Sequence, residues 1–177
     1  GLESIELYAF NHCSGLTKVE FPKGLKTIEE SAFCDCYNLT EIDLPEGLES
    51  IGVQAFYECT GLTKVEFPKG LKTIEESTFY GCSNLTEFKF PDELETIGIS
   101  AFDGCYGLTT IDFPEGLKTI DYRAFANCSL TRVDFPEGLK TIESCAFENN
   151  CFTEIRFPDG LETIGGCKGC SDLKKVE

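Results

Sequence analysis

One pattern of apolar and polar positions recurs about every 23 residues along the chain. Residues 62–74 show it in full, with Lys64, Val65, Glu66 and Phe67 alternating polar and apolar before Pro68. A period of two is typical of a strand with one buried face. Proline ends the strand because it offers no N–H to a ladder, and Pro-x-Gly suits a type I turn. A second apolar run follows the turn. The pattern therefore predicts two short strands in each unit.

The units cover residues 1–177 as a single domain of about eight repeats of 22 or 23 residues, the last of them degenerate. They begin at Gly1, Gly24, Gly47, Gly70, Glu93, Gly116, Gly138 and Gly160. No unit is large enough to bury its own apolar side, so stability must come from stacking on neighbours. We also expect the chain to be an excised or processed part of a longer protein, because Met is absent and Gly1 already lies inside a unit.

A third apolar group in each unit, such as Ala32, Phe33 and Cys36, has the spacing of one helical or 3₁₀ turn with one buried side. Stacking converts identical positions into columns. One predicted column is a row of phenylalanine rings: Phe10, Phe33, Phe56, Phe79, Phe102, Phe125 and Phe147. A second is formed by inward strand residues: Val19, Ile42, Val65, Phe88, Ile111, Val133 and Ile155. These columns predict the core.

Six of the eleven cysteines recur at one offset, namely Cys13, Cys36, Cys59, Cys82, Cys105 and Cys128. We interpret them as a buried column, because unpaired cysteine packs as a small hydrophobe. An odd total also excludes complete internal pairing. Cys167-Lys168-Gly169-Cys170 forms a CxxC motif, in which Cys170 is the column cysteine and Cys167 occupies the phenylalanine position. The repeat accounts for this motif, and a metal or redox site is the alternative.

No catalytic, cofactor-binding or metal-binding residues are predicted. His12 is the only histidine and occupies a variable position, so no nucleophile–base constellation is predicted around it. Glu20, Asp43 and Glu66 form a stack of like charges that suggests a calcium site as an alternative. Calcium requires six to eight oxygen ligands, and the interleaved lysines oppose it.

The formal charge of −16 argues against nucleic acid, which selects basic surfaces, and against anionic membranes. No apolar run approaches the roughly 20 residues of a transmembrane helix, and the first residues do not form a signal peptide. The outward strand positions carry nine acidic and six basic side chains, so most of the negative charge lies elsewhere. We expect opposite charges in these positions to pair across neighbouring strands. Tyr57 and Tyr80, outside these strands, are solvated decoration or a small second contact patch.

The outward positions are the predicted protein-binding residues of the concave face: Lys18, Glu20, Glu41, Asp43, Lys64, Glu66, Glu87, Lys89, Thr110, Asp112, Arg132, Asp134, Glu154 and Arg156.

The pattern Leu-x-x-Val-x-Phe-Pro-x-Gly-Leu-x-x-Ile-x-x-x-Ala-Phe-x-x-Cys resembles the BspA-like, or Treponema pallidum-type, leucine-rich repeats over essentially the whole chain. The resemblance implies a right-handed, β-rich α/β solenoid with a parallel sheet on its concave face and helical or 3₁₀ turns on its convex side. It also implies cell-surface or secreted proteins of host-associated bacteria and some protozoa, several of them adhesins. The chain departs from the pattern at Asn150, which replaces a cysteine, and at Gly166-Cys167, which replaces Ala-Phe.

The leading hypothesis is a non-enzymatic protein-binding module of an extracellular or cell-surface adhesin. Its partner would be a host or extracellular protein, with no nucleic acid, membrane insertion or cofactor involved. A structural spacer or an engineered scaffold without a ligand is the alternative, although the irregular last repeats argue against a pure consensus design. A recognition region attached to a catalytic domain is a third hypothesis.

Overall fold

The computed structural model describes residues 1–177 and forms a parallel-strand solenoid of about eight turns. Each turn contributes a two-residue return strand after the proline turn and a face strand before the next proline. The return strands are β1 Ser4–Ile5, β2 Thr27–Ile28, β4 Ser50–Ile51, β6 Thr73–Ile74, β8 Thr96–Ile97, β10 Thr119–Ile120, β12 Thr141–Ile142 and β14 Thr163–Ile164. The face strands are β3 Glu41–Asp43, β5 Lys64–Glu66, β7 Glu87–Lys89, β9 Thr110–Asp112, β11 Arg132–Asp134, β13 Glu154–Ile155 and β15 Lys175–Val176.

Neighbouring strands pair in parallel with equivalent residues side by side. Val65 of β5 pairs with Phe88 of β7, and Thr119 of β10 pairs with Thr141 of β12 although the second unit is one residue shorter. Because the side-chain period of a strand is two, this register keeps apolar residues on the inner face throughout. The predicted columns are confirmed.

The two ladders are interrupted at different places. Face strands form three groups, β3-β5-β7, β9-β11 and β13-β15, whereas return strands form β1-β2-β4 and β6-β8-β10-β12-β14. One interruption follows Phe88, whose ring stacks on Phe102 at 5.2 Å and packs against Phe90 at 4.9 Å. A phenylalanine stands here in a column otherwise filled by valine and isoleucine. The interruptions are staggered, so no interface between turns lacks both strand ladders.

The segment between a return strand and the next face strand, here called the turn segment, contains no helix. Two residues in each unit, two before and two after the column phenylalanine, have positive φ; Ser31 (53°) and Asp35 (60°) are examples. Left-handed residues at this spacing interrupt a right-handed helix, so the predicted helical turn is replaced by successive β-turns. The N–H groups of Ser31, Phe33 and Asp35 instead donate to carbonyls of the next unit at 2.8–3.0 Å.

The core is one cluster of 42 buried residues that runs the length of the solenoid. Phe79 lies at its centre, stacked between Phe56 (ring centroids 5.5 Å apart) and Phe102 (5.4 Å apart). Offset ring stacking adds about 0.5–1.5 kcal/mol beyond area burial for such a pair. Phe10, at the first turn, stacks on one side only and is 42% exposed. The phenylalanine column therefore unites all turns except the last.

Candidate protein-binding face

The predicted contact residues form one continuous surface, here called the charged face, made of the fourteen outward side chains listed above. In β3, β9 and β11 the central residue is buried while both flanking residues are exposed, as expected for a strand with one wet side. Thirteen of the fourteen side chains are exposed and Lys64 is half-buried. The strand geometry thus brings the predicted residues together on one side of the molecule.

Ion pairs on the charged face run mainly along the strands. Lys18 contacts Glu20 at 2.9 Å, Lys64 contacts Glu66 at 2.8 Å, and Arg132 donates to Asp134 at 2.6 Å. The predicted pairing across strands is found only at the end, where Lys175 reaches Glu154 at 3.1 Å. The prediction of cross-strand pairs was therefore wrong for the rest of this face. The reason is that a lysine two residues from its partner on the same strand side reaches it with an extended side chain.

These pairs neutralise the stack of like charges at Glu20 and Glu66. The hydrogen bond from Lys18 lowers the pKa of Glu20, and the same contact raises the pKa of Lys18. Lys64 likewise has a raised pKa because of its hydrogen bond with Glu66. No group of three or more metal-ligating side chains is gathered in the structure. The lysines thus perform the role that the calcium alternative assigned to a cation.

The charged face contains two open depressions. The larger, about 1180 Å³, extends over the first three turns and has Lys18, Glu41 and Glu66 in its walls and Phe67 at its base. The smaller, about 400 Å³, lies over the interruption between β7 and β9. Both have mixed linings of charged and apolar groups, which is the composition expected of a surface that contacts protein.

The only histidine is paired, contrary to the expectation that nothing is arranged around it. His12 Nδ1 lies 3.1 Å from Asp35 Oδ2, and the Cys34 thiol donates to the same oxygen at 3.3 Å. Burial and the neighbouring Asp35 raise the pKa of Cys34 to about 12. The thiol therefore stays protonated at neutral pH, which is unfavourable for a nucleophile.

The cysteine column has a hydrogen-bonding role that the sequence analysis missed. Each column thiol donates to the carbonyl of a phenylalanine in the preceding unit; for Cys82 and Phe56 the distance is 3.2 Å. Cys36, Cys59, Cys82, Cys105 and Cys128 are buried, whereas Cys13 is exposed because no turn precedes it in the structure. Asn150, which replaces the column cysteine, donates to Phe125 O at 2.8 Å. The recurrence of this position after phenylalanine was the available signal.

A network of charged residues in the turn segments also escaped the sequence analysis. Arg123 Nε donates to Asp103 Oδ2 at 2.9 Å, and its Nη1 donates to Glu148. Asp103 also accepts from Asn127 at 2.7 Å, and Lys168 lies 3.7 Å from Glu148. The network joins turns five to eight, where the unit length changes from 23 to 22 residues. It was legible only by aligning positions flanking the phenylalanine column.

None of the six tyrosines belongs to the charged face. Tyr57 and Tyr80 stack in adjacent turn segments, with ring centroids 4.8 Å apart and planes 4° apart, as their position in the repeat predicted. Both rings are half-buried. The aromatic residues that are enriched at binding hot spots therefore lie away from the charged strands.

The pairing of parallel strands around a continuous core defines the chain as a leucine-rich repeat solenoid. The sequence model of the BspA type leucine rich repeat region matches residues 1–108 and 72–177, in six copies. The chain belongs to this family.

Solved structures of bacterial leucine-rich repeat proteins share the fold. One from Treponema pallidum is 27% identical, with a TM-score of 0.77 over 98% of this chain and 72% of that one. One from Eubacterium ventriosum is 26% identical, with a TM-score of 0.69 over 84% of this chain and 41% of that one. A leucine rich cell surface protein of Faecalibacterium prausnitzii is 24% identical, with a TM-score of 0.64 over 99% and 63%. No curated protein sequence matches the chain.

The chain spans 41% to 72% of the length of these three proteins. None of its elements is a helix with the length and apolarity needed to cross a membrane.

Proposed function

We propose that this protein is a non-enzymatic binding module of a cell-surface or secreted adhesin, and that it binds extracellular or host proteins through the charged face. The observation that carries the proposal is the exposure of thirteen mixed-charge side chains on one rigid, continuously packed scaffold. Leucine-rich repeat solenoids are interaction scaffolds, since stacked repeats present extended binding surfaces. A surface location is supported by the family and by the description of the Faecalibacterium protein as a cell surface protein.

The two arginines of the charged face are the proposed anchors. Arginine is enriched among residues that dominate binding energy, because its planar guanidinium binds carboxylates with two hydrogen bonds. Arg156 has no ion-pair partner within 4.0 Å, and Arg132 is engaged only by the exposed Asp134. Both are therefore available to a partner carboxylate at little cost.

The test is binding of purified extracellular-matrix and serum proteins to the immobilised chain, followed by charge reversal. We expect the double variant Arg132→Glu, Arg156→Glu to weaken a detected interaction at least tenfold, about 1.4 kcal/mol. The matched control is Lys72→Glu, Lys140→Glu, which makes the same change of charge on the return-strand side and should leave affinity within about twofold.

Two results would count against the proposal. Equal weakening by both double variants would indicate an attraction to net charge without a defined face. No binding to any protein of the panel would instead favour the structural spacer.

A further inference from the structure

The CxxC motif at the last turn is the one group of cysteines that lies outside the structural column. Cys167 stands where the column phenylalanine would be, so the ring stack ends at Phe147 and the two thiols occupy the space that follows. Both cysteines are partly exposed, whereas the five inner column cysteines are buried. The pair is therefore accessible to a small reagent.

The backbone holds the two cysteines at the separation of a disulfide. Cys170 N–H donates to Cys167 O at 3.2 Å, which closes a four-residue turn. The Cα atoms across such a turn are less than about 7 Å apart, and disulfides span about 4.4–6.8 Å. Gly169 has a φ of 76° and allows the chain to reverse here. The two thiols are also hydrogen-bonded to each other.

We propose that Cys167 and Cys170 form a thiol–disulfide exchange site whose substrates are small-molecule disulfides. In the first step the Cys170 thiolate attacks one sulfur of the reagent, breaks its S–S bond and releases one thiolate. In the second step Cys167 gives its proton to solvent and attacks the Cys170 sulfur, which releases the second thiolate. The protein dithiol is oxidised to an intramolecular disulfide, and the reagent is reduced to two thiols.

The surroundings of the pair support this order of attack. The hydrogen bond from Cys167, together with the backbone of Asn150, lowers the pKa of the Cys170 thiol to about 7. The shared hydrogen bond and burial raise the pKa of Cys167. The nearest ion pair is Lys168 with Glu148, 3.7 Å apart. An acidic, accessible thiol beside a second cysteine is the arrangement of redox-sensitive sites.

The column cysteines have the opposite environment. Burial raises the pKa of Cys82 and Cys128 well above the ordinary value, and both thiols donate to main-chain carbonyls. They are therefore expected to remain reduced under conditions that oxidise the last turn. The repeat supplies the column cysteine, and the loss of phenylalanine at one position creates the reactive pair.

The experiment treats the fully reduced chain with oxidised glutathione at pH 7 and maps its cysteines by mass spectrometry. We expect a Cys167–Cys170 disulfide to form before any column cysteine reacts. In Cys167→Ser the second step is removed, so a stable mixed disulfide with glutathione should accumulate on Cys170. Cys151→Ser, which removes an exposed cysteine elsewhere, is the control and should oxidise like the parent chain.

Reactivity gives a second measurement that does not depend on disulfide formation. At pH 7 a thiol of pKa about 7 is half ionised and an ordinary thiol roughly 3% ionised, but the more acidic thiolate is less nucleophilic. Cys170 should then react with iodoacetamide about threefold faster than an unstructured cysteine peptide. The proposal is overturned if Cys167 and Cys170 stay reduced while Cys151 or Cys13 is glutathionylated.

Discussion

At the scale of single residues, one carbonyl per turn determines which side chains the core accepts after the phenylalanine column. That carbonyl belongs to the phenylalanine of the preceding unit and receives a thiol in most turns. Asn150 shows that a stronger donor is accepted at the same position. Its amide also donates to Phe147 O at 3.1 Å, and its Oδ1 accepts from Leu130 N–H at 3.0 Å. The column is therefore selected for donation as well as for volume.

Asn150→Ala should destabilise the chain by about 2–3 kcal/mol, because it leaves buried main-chain groups without partners. Asn150→Cys should cost less, since a thiol keeps the donor to Phe125 O but provides no acceptor for Leu130 N–H. The measurement is the urea dependence of circular dichroism. Asn149→Ala, a change at the exposed neighbouring residue, is the control. A loss of equal size at both asparagines would contradict the assigned role.

The ion pair of Lys18 and Glu20 gives a pH-dependent prediction. The folded-state pKa of Glu20 is lowered, so its contribution to stability is present above the unfolded pKa of about 4.3 and is lost as the pH falls through the folded value. Lys18→Ala should return the Glu20 pKa upward toward its ordinary value, as measured by NMR titration of the carboxyl carbon. Lys26→Ala, which removes the partner of Glu49 on the return side, should leave the titration of Glu20 unchanged.

At the scale of elements, the strands follow from the sequence more directly than the turn segments do. The two-residue alternation and the fixed proline define both strand ladders, and the constant repeat length defines their register. The spacing of Ala32, Phe33 and Cys36 fits a helix equally well, so it does not distinguish a helix from consecutive turns. Gly81 and Gly104, both with positive φ two residues after a column phenylalanine, were a readable sign of the left-handed position.

The interruptions of the ladders could not be predicted from periodicity. They depend on how the ring of Phe88 packs against Phe90 and Phe102, which are contacts between units and not within one. The direction of ion pairs on the charged face has a similar origin. Lys64 has carboxylates both beside it on its own strand and on neighbouring strands, and its side-chain conformation selects Glu66. Sequence gives the candidates for pairing, and packing selects among them.

The turn segments of units five to eight are joined by the network centred on Arg123. Asp103 and Glu148 are nearly buried, with side chains 4% and 11% exposed, so both carboxylates depend on the guanidinium. Arg123→Ala should therefore cost about 2–3 kcal/mol, somewhat below the range for removing one partner of a fully buried pair. Denaturation in urea is the measurement.

The matched control is Arg132→Ala, whose pair with Asp134 is exposed on both sides and should contribute less than about 1 kcal/mol. Replacing the acids as well, with Asp103→Asn and Glu148→Gln in the Arg123→Ala background, should restore part of the loss. An Arg123→Ala cost as small as that of Arg132→Ala would show that water satisfies the two carboxylates.

At the scale of the whole molecule, charge and stability are distributed differently along the solenoid. The formal charge of −16 resides mainly outside the charged face, so the face is nearly balanced while the body is acidic. An acidic body favours solubility and repels other acidic surfaces. Recognition through the balanced face would then rely on the arrangement of its charges, and a partner would be oriented by repulsion from the other sides.

Stability is expected to be highest in the middle of the stack and to decrease toward both ends. Each turn contacts only its neighbours, so the end turns lose one interface and can open separately. The return strands offer a matched probe, because the same main-chain hydrogen bond recurs at each interface. Asp121 N–H donates to Ile97 O at 2.9 Å in the middle, and Glu29 N–H donates to Ile5 O at 2.9 Å near the first turn.

Amide hydrogen exchange measured by NMR, corrected for intrinsic rates, should show slower exchange at Gly98 and Asp121 than at Glu29 and Gly165, by about tenfold or more. The bonded oxygens are equivalent, so a difference reports the opening of turns and not hydrogen-bond geometry. The side chain of Ile164 is 54% exposed, whereas that of Ile97 is fully buried, which places the weaker core at the last turn. Equal protection at all four amides would show that the solenoid unfolds as one cooperative unit, and the independent opening of its ends would then be excluded.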